Sequence, residues 1–256
     1  MTSLKLKSRT ASPKIGLLAT GHLIYWDQFP GLKDMCMKMY NELIAHLEKI
    51  GEVVSPGLVD TKEKAESAGE YFRKEEIDII LVCPLGYTTG MVLLPCVKQL
   101  DIPIRVLNTH IDSSYDLKSA DTTVYLYHEG PCCIPEYAAG LMSIDKKFKV
   151  RTGPFSSQRF WDEVKADCKG AAAARAFRSM NIGIIGDTYT GMVDMPTDEH
   201  RWLRATGNLI IRPEVEEIEE AFHRVTQEQV VDMYQQFREL YDVDDSVTDE
   251  HMKVSA

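Results

Sequence analysis

The sequence predicts an α/β protein built on doubly wound parallel sheets, and three observations carry that expectation. Strand-like and helix-like segments alternate from residue 14 onward. The segment IDIILVCP (77–84) is almost uniformly apolar, as a parallel strand covered on both faces should be. After a polar, aperiodic stretch at 110–121 a second alternating set begins. Two consecutive flavodoxin-like domains follow from this pattern. The expected limits are a flexible N-terminus (1–13), a first α/β domain (14–110), a second (122–240), and a tail (241–256) leading toward a domain absent from this chain.

Each element has its own grounds. KIGLLAT (14–20) reads as a buried strand. In 32–50, Leu32, Met35, Met39, Leu43, Leu47 and Ile50 share one helical face, and Gly51 is a natural stop. EVVSPG is a short second strand ended by Pro56, and a largely polar helix follows over 61–75. MVLLPCVKQL reads as a helix bent or started near Pro95, and IPIRVLNT (102–109) as the fourth strand. The second set opens with TVYLYH (123–128) as a strand, then a helix over 133–144 and the strand FKVRTG (148–153). A long helix over 156–179 contains AAAAR, strong helix formers throughout. NIGIIGD and NLIIRP are short strands, QEQVVDMYQQFRELY is a helix, and Thr248-Asp249-Glu250 marks one more helix start.

Composition narrows the function. The formal net charge of -10 argues against nucleic acid as a partner, because phosphate contacts need clustered Lys and Arg. No apolar run approaches the ~20 residues of a membrane helix, and no signal peptide opens the chain, so a cytoplasmic protein with no membrane partner is expected. None of the six cysteines forms a C-x-x-C pair, and no Cys/His set has zinc spacing. The adjacent Cys132 and Cys133 are poorly placed for a disulfide. Thiols in a reducing compartment are the expected state.

In a doubly wound sheet ligands bind beyond the carboxyl ends of the strands. The loops there are TGHLIYWDQFPG (20–31), CPLGYTTG, NTHID, EGPCC and GDTYTGMVDM. Their mixture of rings, amides and carboxylates suits a sugar: apolar ring faces for its C–H surface, imidazoles and carboxylates for its hydroxyls. Neither a dinucleotide nor a P-loop fingerprint is present. His22, Tyr25, Trp26 and His128 are the candidate substrate-binding residues. Asp187 and Asp194 share one loop without an accompanying Glu/His pair, so the sequence offers no complete metal site and no catalytic residue. Cys83, at a strand end, is the one candidate nucleophile, as in a Cys-dependent racemase; it would need a second Cys opposite, and Cys132-Cys133 is the nearest.

The order of segments resembles the amino-terminal portion of the L-arabinose isomerase and L-fucose isomerase group, metal-dependent aldose–ketose isomerases. The resemblance rests on TGHLIYW in the first loop, His128-Glu129-Gly130, the helix ending AAAARAFRSM, the strand NIGIIGD with its GM-x-DM loop, and GNLIIRPE. It spans nearly the whole chain. Gly21 stands where the group's first loop holds a Gln, so a sugar preference is not carried over.

The resemblance implies that this chain is the assembly and substrate-wall portion of an intramolecular oxidoreductase, inactive alone. Mn²⁺, or a similar divalent ion, would be held in the intact enzyme by two Glu and two His of a later domain, with no cofactor within this chain. His22, Tyr25, Trp26 and His128 would approach the sugar site of a neighbouring subunit in a homo-oligomer. Asp187, Tyr189, Met192 and Asp194 would serve loop structure or assembly, the methionines suiting a subunit contact. The alternatives are a two-domain sugar sensor flexing at 110–122, and the racemase reading.

Overall fold

A computed structural model describes residues 12–186, 188, 189 and 191–256. They fall into two compact units, one ending at Phe177 and the other formed by 178–256.

The larger unit is a doubly wound α/β structure. Its six strands are β1 (Lys14–Thr20), β2 (Glu52–Val54), β3 (Leu58–Val59), β4 (Ile79–Pro84), β5 (Ile104–Asn108) and β6 (Phe148–Thr152). All pairings are parallel, in the order β2-β1-β4-β5-β6, with β3 continuing the β2 edge along β1. The break between β2 and β3 has a local cause. Pro56 offers no N–H to the ladder, the Ser55 hydroxyl donates to Leu17 O at 2.9 Å instead, and Gly57 turns the chain at φ +85°.

Helices cover both faces. One face carries α2 (Leu32–Leu47), α5 (Thr122–His128) and α7 (Gln158–Ser179); the other carries α3 (Lys62–Lys74), α4 (Leu94–Val97) and α6 (Gly130–Ser143). The two-residue period of the strands divides the core between them. Leu17, Leu81 and Leu107 pack with Met39 and Leu43 of α2 and with Phe160 and Val164 of α7. Leu18, Ile80, Val82 and Val106 pack with Phe72 of α3 and with Tyr137 and Leu141 of α6. α7 is also fixed to the sheet by charge: the Asp167 carboxylate accepts from Arg151 Nε at 2.6 Å and pairs with Arg105 at 2.8 Å.

Two expectations are corrected here. Residues 123–128 are not a strand but α5, because the Asp121 carboxylate accepts the Val124 N–H at 2.9 Å and caps a helix. In MVLLPCVKQL an α-helix does start near Pro95, but it is the single turn α4, preceded by a 3₁₀ turn (Gly90–Val92), and not a helix across the whole segment. The stretch 110–122 lies inside the larger unit, and β6 pairs with β5 from Ile104↔Phe148 to Asn108↔Thr152. Residues 1–11 lie outside the described residues.

The smaller unit holds β7 (Ile182–Gly183) and β8 (Ile210–Ile211), a parallel pair, with α8 (Glu199–Thr206), α9 (Val215–His223), α10 (Gln227–Leu240) and α11 (Asp249–Ser255). Side-chain caps start several of them: Asp198 for α8, a Thr226/Gln229 capping box for α10, and Thr248 for α11. Among the described residues no helix is long and apolar enough to cross a membrane.

Candidate functional site

The chain leaves β1 toward β2 on one side, while β4 lies on the other. Their carboxyl ends therefore form the topological switch point, where open α/β sheets take ligands. The loops after them are tied together: Leu85 N–H donates to Thr20 O at 3.0 Å, and the Thr88 hydroxyl donates to Gly21 O at 2.8 Å. Below them the Thr20 hydroxyl and the Tyr137 phenol share a buried hydrogen bond of 2.8 Å. On this base stand three rings. His22 lies 4.8 Å from Tyr25 and 6.4 Å from Tyr87, nearly parallel to the latter, and Tyr25 lies 5.9 Å from Tyr87. Burial, then the neighbouring Tyr25, holds the Tyr87 phenol above its ordinary pKa, so it stays a hydrogen-bond donor.

Trp26 belongs to the same short helix, α1 (Ile24–Gln28), yet it has another task. Its indole N–H donates to Asp60 Oδ2 at 2.8 Å, and Lys64 Nζ lies 2.6 Å from the other carboxylate oxygen. The ring lies so close to Gly21 that a Cβ there would sit 2.7 Å from it. Trp26 thus anchors the loop that carries His22 and Tyr25.

A second group stands at the end of β5. There the Thr109 hydroxyl donates to Gly153 O at 2.6 Å and the Phe155 N–H donates to His110 O at 3.0 Å, which fixes the turn after the strand. His110 Nδ1 accepts the Asp112 N–H at 3.1 Å. The His110 ring lies 4.3 Å from that of His128 and edge-on to Tyr127 at 4.4 Å, while Tyr115 stacks on His128 at 4.3 Å. His128, the last residue of α5, donates from Nδ1 to Val124 O at 2.8 Å. That bond leaves its Nε2 lone pair free, and Nε2 is buried with no hydrogen-bond partner, as is Nε2 of His110. Asp112 Oδ2 is 3.5 Å from His128 Nε2 and 3.8 Å from His110 Nδ1. Burial, and then His128, lower the His110 pKa to about 4, so the ring is neutral at neutral pH.

The structure thus brings together His22 and Tyr25, and adds Tyr87. It joins His128 with His110, Asp112 and Tyr115, which no sequence motif marks as its partners. NTHID reads as a strand-end loop, but nothing in it signals a partner on a later helix. Asp187 lies outside the described residues. Tyr189, Met192 and Asp194 are exposed in the smaller unit. Cys83 is fully buried and burial pushes its thiol up to about 12, so it is neither reachable nor acidic enough to act as a nucleophile at neutral pH. Among the described residues no set of two Glu and two His converges; the one group with three possible ligands is His110, Asp112 and His128.

Fold and site together define a doubly wound α/β protein with a ring-lined, polar edge at the carboxyl ends of β1, β4 and β5. No family model matches the chain, and no curated protein matches it.

Proposed function

We propose that this chain binds a polyhydroxylated small molecule, a sugar, at the carboxyl edge of its sheet, as the substrate-wall and assembly portion of an aldose–ketose isomerase of the L-arabinose/L-fucose type. The observation that supports this most is the convergence of His22, Tyr25 and Tyr87 at the switch point. Ring faces accept the C–H surface of a sugar, while imidazole and phenol bond its hydroxyls. The chemistry of isomerisation, moving a proton between adjacent carbons beside a divalent ion, belongs on this reading to residues of the intact enzyme outside this chain. The buried, un-ionised Cys83 weighs against the racemase alternative.

Calorimetric titration with L-arabinose and L-fucose tests the proposal. Saturable binding is expected, weakened about tenfold or more by His22→Ala or Tyr87→Phe, with no isomerisation even when Mn²⁺ is added. Binding that is absent for every aldose, or unchanged in both variants, would overturn it.

A further inference from the structure

We infer that His110, Asp112 and His128 form a binding site for a divalent first-row transition metal ion, Zn²⁺ the best fit, with at least one coordination position left open. The inference does not rest on the sugar reading, since it concerns a separate set of side chains.

Four observations converge on it. First, one donor atom from each residue lies within 4.8 Å of the other two. Two donors about 2.1 Å from a tetrahedral ion stand roughly 3.4 Å apart. The separations from Asp112 Oδ2, 3.5 Å to His128 and 3.8 Å to His110, are close to that edge already. They are wider than the ~3.0 Å between neighbouring ligands of an octahedral Mg²⁺ at about 2.1 Å.

Second, Nε2 of His128 is buried without a hydrogen-bond partner and keeps its lone pair, while His110 faces Asp112 with Nδ1, which would exchange the Asp112 N–H it accepts for the ion. A buried polar atom left unpaired is costly, and a native site of this kind calls for a water or an ion. Third, the rings are oriented in advance. His128 Nδ1 donates to Val124 O, the bond to a backbone carbonyl that sets the tautomer of metal-bound imidazoles and aims Nε2 at the ion. Tyr115 and Tyr127 hold the two imidazoles by stacking and edge contact. Fourth, the donor set is chemically selective. Two imidazoles and one carboxylate suit Zn²⁺ and its transition-metal neighbours better than Ca²⁺ or Mg²⁺, which prefer oxygen alone.

Three protein ligands leave a tetrahedral ion one position short. The Asp112 side chain is 51% exposed, so the open position has access to solvent and to a small ligand. The site is built from two places, the turn after β5 and the end of α5. The ion would therefore clip the polar 113–121 segment at both of its ends.

The test uses the full chain, free of affinity tags and stripped with a chelator, titrated with ZnCl₂ by calorimetry and with Co²⁺ as an absorption probe. One ion per chain is expected, with visible Co²⁺ bands and no thiolate charge-transfer absorption, since the cysteines are not ligands. His128→Ala and Asp112→Asn should each weaken Zn²⁺ binding at least about tenfold. Asp112 is half exposed, so its variant should fold as the parent does. His223→Ala, a 69% exposed histidine outside the group, should leave affinity unchanged. No stoichiometric binding, binding that Asp112→Asn and His128→Ala leave unaltered, or Co²⁺ spectra dominated by thiolate would each overturn the site.

Discussion

At His110 two influences act in one direction. Burial and the adjacent His128 both oppose a positive charge, against a weaker pull from Asp112, and the ring pKa falls from the ordinary 6.5 to about 4. The unfolded chain takes up this proton first, so protons favour unfolding across that window. The contribution is complete above pH ~6.5, is lost as pH falls toward ~4, and then levels off. We expect on the order of 3 kcal/mol from this ring. Urea unfolding of the metal-free chain across the window should show it, and His110→Asn should flatten the profile.

The same residue shows the limit of reading a site from sequence. His22 and Tyr25 are neighbours in one loop, so position alone brought them forward. His110 and His128 meet only because Asp121 caps α5 and α5 packs against α2 beside Tyr127. Neither condition has a periodicity to betray it.

Between elements, the junction of α7 with β5 and β6 turns on Asp167. Burial works against its charge, but Arg151 and Arg105 hold the carboxyl below the usual carboxylate range. A lowered carboxyl pKa contributes stability above its unfolded value and loses it as pH falls through the folded one. Removing the carboxylate strands two arginines whose side chains are only 22% and 15% exposed. Asp167→Ala should therefore cost about 3 kcal/mol at neutral pH, read as a shift in denaturant midpoint at constant m-value.

The elements most legible in the sequence were those whose burial leaves a pattern. β1, β4 and β5 show as apolar runs, and α2 shows its stripe. TVYLYH has the β-branched and aromatic content of a strand, yet it forms α5. A single carboxylate at its start, together with a face that packs on α2, outweighed that propensity.

Across the whole molecule, the apolar surface is uneven in a way that bears on assembly. In the smaller unit Ile185, Tyr189 and Val193 are 73%, 76% and 93% exposed, and Met192 and Met195 are close to half exposed. A run of such residues in one loop is the composition of a contact between subunits. If this loop joins copies of the chain, light scattering behind size exclusion should show an assembly that Val193→Glu combined with Met192→Glu shifts to monomer. The helical content should not change. A chain that is monomeric from the start, or an assembly the variant leaves unaltered, would exclude the loop as a contact between copies.

The pairing of β5 with β6 constrains how any ligand at this edge can be felt. The chain that departs after Asn108 and returns at Phe148 is bound at both departure and return into one continuous sheet. Segment 110–122 is thus a strap buckled to a rigid frame rather than an axle between two moving lobes. Scissoring about it would tear the ladder from Ile104 to Asn108.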